Sequence, residues 1–450
     1  MTEKQYSKYK EYLSSLGSKP GLECMEALLK KLGDPQDELL FIHVAGTNGK
    51  GSVCAFLTSI LERAGLKTGR YTSPAVFDER ERFTAGGRMI GKSTMLRLMD
   101  RIKEASSQLV SEGMRHPTLF ETETALAFLF FASKKCDIVV LECGMGGLLD
   151  ATNVIKNALL EVITSVSIDH EAFLGKGLSA IASQKAGIIK QGSTVVSAPQ
   201  HPEVRKVLEA ACAEKSARLV TLSDEDISDV RTGRGRQSFV FSDKLRLTTT
   251  LIGSYQIYNA ALAAATAFEL PRALDGYTGS ERLKTERVAA LIKKGVDKNA
   301  VKEGILAAEW PGRFQIIMNK PCFVIDGAHN RDGATQFARS LDMYFQGKRI
   351  IYIMGVFADK DSGGIINETI GRAEHVICVS LPDKSRTMDA LELAGRIREE
   401  FQNVTAADSI EEAVEMALLL AGEDGVVAAF GSLSFLGRIK DAAGCMKAGS

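Results

Sequence analysis

Short β-branched apolar runs alternate along this chain with glycine-rich turns and with stretches whose apolar positions recur at helical spacing. Leu39–Ala45 reads as a buried strand. It passes through Gly46–Gly51 into a helix whose apolar positions are Cys54, Leu57, Ile60 and Leu61. Asp137–Glu142 is another strand, entering a second glycine cluster at Gly144, Gly146 and Gly147. Val162–Ile168 and Thr194–Ser197 predict further strands, with a helix over Ser179–Ile189 between them. Ahead of all these, Tyr9, Tyr12, Leu13 and Leu16 predict a first helix. Buried strands alternating with helices predict an α/β fold built on a mainly parallel, doubly wound sheet.

After Leu270 the pattern turns helical and charged as far as Trp310-Pro311-Gly312. Alternation then restarts, with strands expected at Cys322–Asp326, Arg349–Met354, His375–Ser380 and Gly425–Phe430 and helices at Ala334–Tyr344 and Ile410–Leu420. The Pro and Gly punctuation places a boundary near Glu309. The expectation is a larger domain over residues 1–309 and a smaller, Rossmann-like α/β domain over residues 310–450. No repeat and no low-complexity segment interrupts this pattern. The 450-residue length agrees with two or three domains at roughly 150 residues each.

Composition narrows the function classes. Lys plus Arg and Asp plus Glu both number 56, and this balance argues against a chain held on nucleic acid or an anionic membrane by bulk charge. At 45% hydrophobic and 25% charged residues the chain is an ordinary globular sequence, which excludes disorder as its main state. The longest apolar stretch, Ala125–Ala132, is far short of the roughly 20 residues a bilayer span needs. Met1–Lys10 is polar, without the apolar segment of a signal peptide. A cytoplasmic protein is expected. The eight Cys include no Cys-x-x-Cys pair, so neither a disulfide framework nor a zinc knuckle is indicated. The basic, Gly-rich segment Arg231–Arg236 reads as a solvated hairpin or loop.

The strongest chemical signal is Gly46-Thr47-Asn48-Gly49-Lys50-Gly51-Ser52, set between a strand and a helix. Glycines let backbone N–H groups approach phosphate oxygens closely, and the following helix N-terminus favours negative charge. Lys50 supplies a mobile positive charge for the β- and γ-phosphates, and Ser52 can place its hydroxyl on Mg²⁺. The match to the usual phosphate loop is imperfect, because Val44 occupies the position of its first Gly and Gly51 separates Lys50 from Ser52. ATP is the expected ligand. Magnesium needs one or two carboxylates besides phosphate and water, and Glu142 ends a strand at the edge where ligands of open α/β sheets gather. His170 follows the next strand and can reach the same edge. Alone, either residue is as readily structural.

These segments together resemble the Mur ligase superfamily and, within it, the folylpolyglutamate synthases. Thr72-Ser73-Pro74 with Glu81-Arg82-Phe83 resembles that family's Ser-Pro segment and its downstream Glu-Arg, and Phe120-Glu121 with Thr124-Ala125 its Phe-Glu motif. Leu141-Glu142-Cys143-Gly144-Met145-Gly146-Gly147 followed by Leu149-Asp150-Ala151-Thr152-Asn153 is a near match to its most specific signature. Further matches are Asp169-His170, Gln184-Lys185-Ala186-Gly187-Ile188, Gln256 with Asn259-Ala260-Ala261, and Trp310-Pro311-Gly312-Arg313-Phe314. Asp326-Gly327-Ala328-His329-Asn330, Asp359-Lys360-Asp361 and Gly431-Ser432-Leu433 complete the set.

The resemblance implies an N-terminal phosphate-loop ATPase domain that also binds folate and a C-terminal domain on the glutamate side of a cleft. It implies an ATP-dependent amide ligase. The γ-phosphate passes to a carboxylate of folate's glutamate tail, and the amine of a free L-glutamate attacks the resulting acyl phosphate. By position, Lys50 and the Gly46–Ser52 backbone hold the phosphates, and Ser52, Ser73, Glu142 and His170 resemble the Mg²⁺ ligands, for one or two ions. Asn259, Arg313 and Asp326 resemble nucleotide contacts, with Arg313 bringing guanidinium charge to the triphosphate when the domains meet. His329 is expected near the incoming glutamate, or else stabilises its own turn. Lys185, which periodicity alone reads as a surface residue, matches a lysine that the family carbamylates; the reaction needs a neutral amine. A monovalent cation is a further cofactor the resemblance allows.

Two positions depart from the family pattern: Ala75 stands where His is frequent after Ser-Pro, and Tyr255 where His is frequent before the Gln. The first leaves the pterin contacts open. Dihydropteroate is a second acceptor that some members use; extension of the folate tail is the favoured reading. A cell-wall ligase of the same superfamily is disfavoured because the phosphate loop begins about 45 residues in, leaving no room for the usual extra N-terminal domain. An inactive nucleotide-dependent binding protein is disfavoured because every ligand position above is filled. A monomer is expected.

Overall fold

The computed structural model describes residues 16–17, 21–156, 158–233, 235–242, 244–277, 283 and 285–448. The first helix expected through Tyr9, Tyr12 and Leu13 lies outside them. Two compact units result. The first takes 1–228, 240–247 and 259–308, and the second 229–239, 248–258 and 309–450.

The first unit is organised on an eight-stranded sheet. Its strands are β1 (Phe41–Ala45), β2 (Thr68–Tyr71), β3 (Phe83–Ala85), β4 (Arg88–Met89), β5 (Ile138–Glu142), β6 (Ala158–Ile163), β7 (Thr194–Ser197) and β8 (Arg218–Thr221). They lie in the order β4-β3-β2-β5-β1-β6-β7-β8. All pairs from β2 to β8 are parallel, and only β2–β3 and β3–β4 are antiparallel. Every residue of β1, β5 and β6 is buried, because helices cover both faces of a parallel sheet. On one face, helices Glu23–Lys31, Lys92–Ser111 and Leu119–Lys134 build a core around Phe41, Phe128 and Phe131. Leu178–Ala186 and Pro202–Glu214 continue this layer around Ile163, Ile181 and Val195, since Ala45 of that second core projects from β1 on the same side as Phe41, and Lys50–Arg63 packs on the other face. β1 lies between β5 and β6, so the strand order reverses beside it. That is where the crevice of an open α/β sheet forms.

Two expectations shift here. The strand expected at Val162–Ile168 runs instead over Ala158–Ile163. Beyond Ile163 the chain is drawn out of the sheet, since Ser165 O accepts from Thr47 N at 2.8 Å and Ser167 N donates to Thr47 Oγ1 at 3.1 Å. The short strands β2, β3, β4 and β8 were not expected, being too short or too polar to stand out by apolar content. A three-stranded sheet follows, of β9 (Ile227–Gly233), β10 (Arg236–Phe241) and β11 (Leu245–Thr249) in the order β11-β10-β9. The described residues of Arg231–Arg236 lie on the adjoining ends of the paired strands β9 and β10 and, at Gly235, in the turn between them, and all are exposed, as a solvated hairpin requires.

The main sheet of the second unit contains β12 (Gln315–Asn319), β13 (Cys322–Ile325), β14 (Ile350–Met354), β15 (His375–Cys378), β16 (Val404–Ala406) and β17 (Val426–Phe430). The order is β12-β13-β17-β14-β15-β16, parallel except for β12 at the edge. Its core gathers Phe314, Phe337, Tyr352 and Phe430, with Phe337 and Phe430 ring centroids 4.6 Å apart. No helix among the described residues is long and apolar enough to cross a membrane.

Candidate functional site

β1 delivers the chain into the glycine loop and helix Lys50–Arg63 receives it. Gly46 has φ 149°, and a Cβ there would lie 1.8 Å from Thr164 Oγ1. Gly49 has φ 87°, and a Cβ there would lie 2.4 Å from Asn259 Oδ1. Both positions therefore require glycine, for space as well as for backbone conformation. Asn259, an expected nucleotide contact, is thereby placed directly against the loop. Thr47 ties the loop to the segment after β6, its Oγ1 donating to Ser167 O at 3.0 Å. Lys50 folds back over the turn, Nζ donating to Gly46 O at 3.2 Å and Thr47 O at 3.1 Å. Ser52 is buried in the first turn of the helix.

Lys185 is not the surface residue that helical periodicity suggests. It is 3% exposed, and its Nζ donates to Gly46 O at 2.8 Å. The helix carrying it, Leu178–Ala186, packs closely on the second glycine cluster. Leu148 N donates to Gln184 O at 2.7 Å, and a Cβ on Gly147 would lie 2.7 Å from that oxygen. Burial, then the neighbouring Lys50 charge, pull the Lys185 amine down to about 7. A large share of it is therefore neutral near pH 7, the form needed for a nucleophilic amine.

Glu142 closes β5, 4% exposed, with Oε2 accepting from Ser73 N at 3.2 Å. Two of the four expected metal ligands thus meet. Glu142 and the hydroxyls of Ser52 and Ser73 are hard oxygen donors, suited to magnesium. Among the described residues no three His, Cys, Asp or Glu side chains cluster as a metal site. His170 has φ 56° and opens helix Glu171–Leu174, with its ring 40% exposed and Nε2 3.8 Å from Asp169 Oδ2.

The specific signature after Glu142 proves to be a brace. The buried Asp150 carboxylate accepts from Met145 N, Thr152 N and Thr152 Oγ1 at 2.9, 3.0 and 2.6 Å, so it shapes the second glycine cluster. Thr152 Oγ1 lies 2.9 Å from Nε2 of His43, a wholly buried ring inside β1, and Asn153 Nδ2 donates to Leu148 O and Gly187 O, each at 3.1 Å. Glu121 of the Phe-Glu motif caps helix Leu119–Lys134, taking Thr118 N at 2.7 Å and both arms of Arg115 at 2.7 and 2.6 Å. Sequence spacing does not distinguish such braces from ligand-binding groups.

In the second unit, Arg313, Asp326 and His329 share one neighbourhood. Arg313 NH1 donates to Gly312 O at 3.2 Å, and a Cβ on Gly327 would lie 2.6 Å from it. Asp326 is buried, its carboxyl raised by burial, and both of its oxygens accept protein donors. Oδ2 takes Tyr255 Oη at 2.6 Å and Phe314 N at 2.7 Å, while Oδ1 takes Ala328 N at 2.7 Å. His329 Nδ1 lies 2.8 Å from Gly327 O, which can only accept, so the neutral ring carries its proton on Nδ1. Asn330 caps helix Arg331–Phe345. Sequence reasoning missed Tyr255 as a partner of Asp326; its nearness in sequence to the Gln256 motif was the available signal.

The chain matches two domain descriptions: the Mur ligase middle domain over residues 90–267 and the Mur ligase glutamate ligase domain over residues 312–433. A Bacillus subtilis dihydrofolate synthase/folylpolyglutamate synthase is 33% identical over 432 residues, spanning 94% of this chain and 95% of that protein. Mycobacterium tuberculosis folylpolyglutamate synthase, solved with ADP and AMPPCP, is similar with a TM-score of 0.85 at 29% identity over 99% of each chain. A folylpolyglutamate synthase–AMPPCP–folate complex is similar with a TM-score of 0.80 at 28% identity, over 97% of this chain and 98% of that one.

Proposed function

The chain belongs to the folylpolyglutamate synthase/dihydrofolate synthase family of Mur ligases, and from that premise we propose that it lengthens the glutamate tail of a reduced folate. It is an ATP-dependent amide ligase. A tail carboxylate oxygen attacks the γ-phosphorus of ATP, the bond to the β,γ-bridging oxygen breaks, and ADP leaves. The amine of L-glutamate then attacks the acyl carbon. Phosphate departs with the C–O electron pair, the ammonium gives up its proton, and an amide remains. Phosphorylation is needed because a carboxylate oxygen is itself a poor leaving group.

Phosphoryl transfer asks mainly for positioning and charge neutralisation. In this reading the Gly46–Ser52 amides and Lys50 hold the β- and γ-phosphates. The hydrogen bonds Lys50 now makes to Gly46 O and Thr47 O are ones that phosphate oxygens would replace. Ser52, Ser73, Glu142 and His170 would hold magnesium, which supplies Lewis-acid neutralisation of the phosphates. Asn259, Arg313 and Asp326 belong to the nucleotide site, and His329 to the incoming glutamate. Lys185 is carbamylated: the neutral amine adds to CO₂ and releases a proton, giving an anion beside the phosphate loop. We place the enzyme in the cytoplasm as a monomer.

The observation that carries this reading is the loop closed on Gly46 and Gly49, with Lys50 and the buried Lys185 both bonded to Gly46 O. The B. subtilis relative carries both synthase names, which supports joining glutamate to dihydropteroate as a second activity. The test is incubation with ATP, Mg²⁺ and glutamate plus either tetrahydrofolate or dihydropteroate, with products weighed by mass spectrometry. A ladder of glutamyl increments on tetrahydrofolate is expected, and one addition to dihydropteroate. ATP consumption with neither product would end the proposal.

A further inference from the structure

Phe314 has a backbone conformation that a bulky side chain rarely adopts, φ 41°, next to Gly312 at φ 79°. Its ring is fully buried, with centroids 5.9 Å from Phe337 and 5.7 Å from Tyr344. Packing thus fixes the side chain, and something must hold the peptide against its preference. The Asp326 carboxylate does so by accepting Phe314 N–H at 2.7 Å. The same oxygen accepts the Tyr255 hydroxyl at 2.6 Å, a charge-assisted bond in a desolvated place. Tyr255 is anchored in turn. Neighbouring Ser254 N donates to Ser340 Oγ at 2.9 Å, and Ser254 Oγ donates to Gln336 O at 3.1 Å. Gly253 leaves room for both aromatic residues: a Cβ there would lie 3.2 Å from Phe314 Cβ and 3.3 Å from Tyr255 Cε1.

Arg313 is the residue this strained turn presents. Its guanidinium lies against Gly327, inside the loop whose first residue is Asp326 and whose Ala328 N–H closes on Asp326 Oδ1 at 2.7 Å. One carboxylate therefore fixes both peptide segments that border the guanidinium. We propose that Tyr255 is a positioning residue for Arg313: by donating to Asp326 Oδ2 it holds the carboxylate in the rotamer that pins Phe314 N–H, and so presets Arg313 for nucleotide. Asp326 acts chiefly as the link between them. The inference rests on the reading of Arg313 as a nucleotide contact, and it assigns Tyr255, a departure from the family's frequent His, a task in that reading.

The test is a double-mutant cycle on the full chain, read as KM for ATP and KM for glutamate. Tyr255→Phe keeps the ring and removes the donor; it should raise KM for ATP by about tenfold, as expected for losing one hydrogen bond to a charged group, and leave KM for glutamate unchanged. Arg313→Ala should raise KM for ATP by more. In the Arg313→Ala background, Tyr255→Phe should change it by less than about twofold, because a group that acts through another has no effect once the other is gone. Equal factors in both backgrounds would mean Tyr255 is merely structural, and no effect in the parent would also overturn the proposal. Arg313→Ala with an unchanged KM for ATP would defeat the nucleotide reading and the positioning role together. If Tyr255→Phe does not fold, Tyr255→Leu, which also lacks the donor to Asp326, replaces it in the cycle, with the same outcomes deciding.

Discussion

At the scale of single residues, the decisive feature is an amine placed where its charge is costly. Lys185 is buried, with a second cation nearby, so its folded-state pKa of about 7 lies well below the ordinary 10.5. Between those values the unfolded chain binds more protons than the folded one, so stability contributed by this group rises with pH. The penalty is complete below about pH 7 and gone by about pH 10.5. Lys185→Met carries no such penalty. In CO₂-depleted buffer, which leaves the parent's amine unmodified, its denaturant midpoint should exceed the parent's most at pH 6, and the gap should shrink steadily towards pH 10. Parallel curves would show that the amine is not perturbed in the folded state. The sequence could not reveal this. Helical spacing put Lys185 beside Ile181, Ala182 and Ile188 without showing that a second element, the glycine cluster at Gly146 and Gly147, closes over it. Glu142 was different, since a carboxylate ending an apolar strand is visible in the sequence alone.

At the scale of elements, the phosphate loop was legible because its features are local. A strand, glycines at fixed offsets and a helix start are all written within the twelve residues from Phe41 to Ser52. What the loop leans on is not local: Thr164 and Ser165 arrive from β6, and Asn259 from a later helix. The expected strand Val162–Ile168 overran for that reason, because apolar content cannot show where a neighbour pulls a chain out of a sheet. Gly46→Ala tests how far the loop depends on this contact. The new methyl would need the space of Thr164 Oγ1, 1.8 Å away, at a φ that L residues rarely adopt. A loss of about 1–3 kcal/mol is expected from overpacking, together with loss of ATP binding. Urea unfolding and nucleotide titration report the two effects separately. Adding Thr164→Gly to make space should recover part of the stability, whereas no recovery would assign the cost to the backbone alone.

At the scale of the whole molecule, nucleotide binding is coupled to folding. A ligand bound only by the folded state adds RT ln(1 + [L]/Kd), about 2.7 kcal/mol at a concentration 100 times Kd. The phosphate loop is continuous with β1 and beside β5 and β6, the centre of the larger sheet. Its amides open only when much of that unit unfolds, so they should report the full gain. Hydrogen exchange with saturating Mg²⁺ and a non-hydrolysable ATP analogue should therefore slow in β1, β5 and β6 by about 100-fold. Lys50→Ala removes a charge whose hydrogen bonds, among the described residues, go to its own loop, so its exchange without nucleotide should match the parent's. With nucleotide, its slowing should largely vanish. Because the chain divides into two compact units, one melting temperature cannot separate their responses, but peptide-resolved exchange can. If Arg313 binds the same nucleotide, β13 and β17 should also slow, and Arg313→Ala should return them to their rates without nucleotide while β1 keeps part of its protection. Slowing confined to the larger sheet in the parent would remove Arg313 from the nucleotide site and leave the phosphate loop as its sole support.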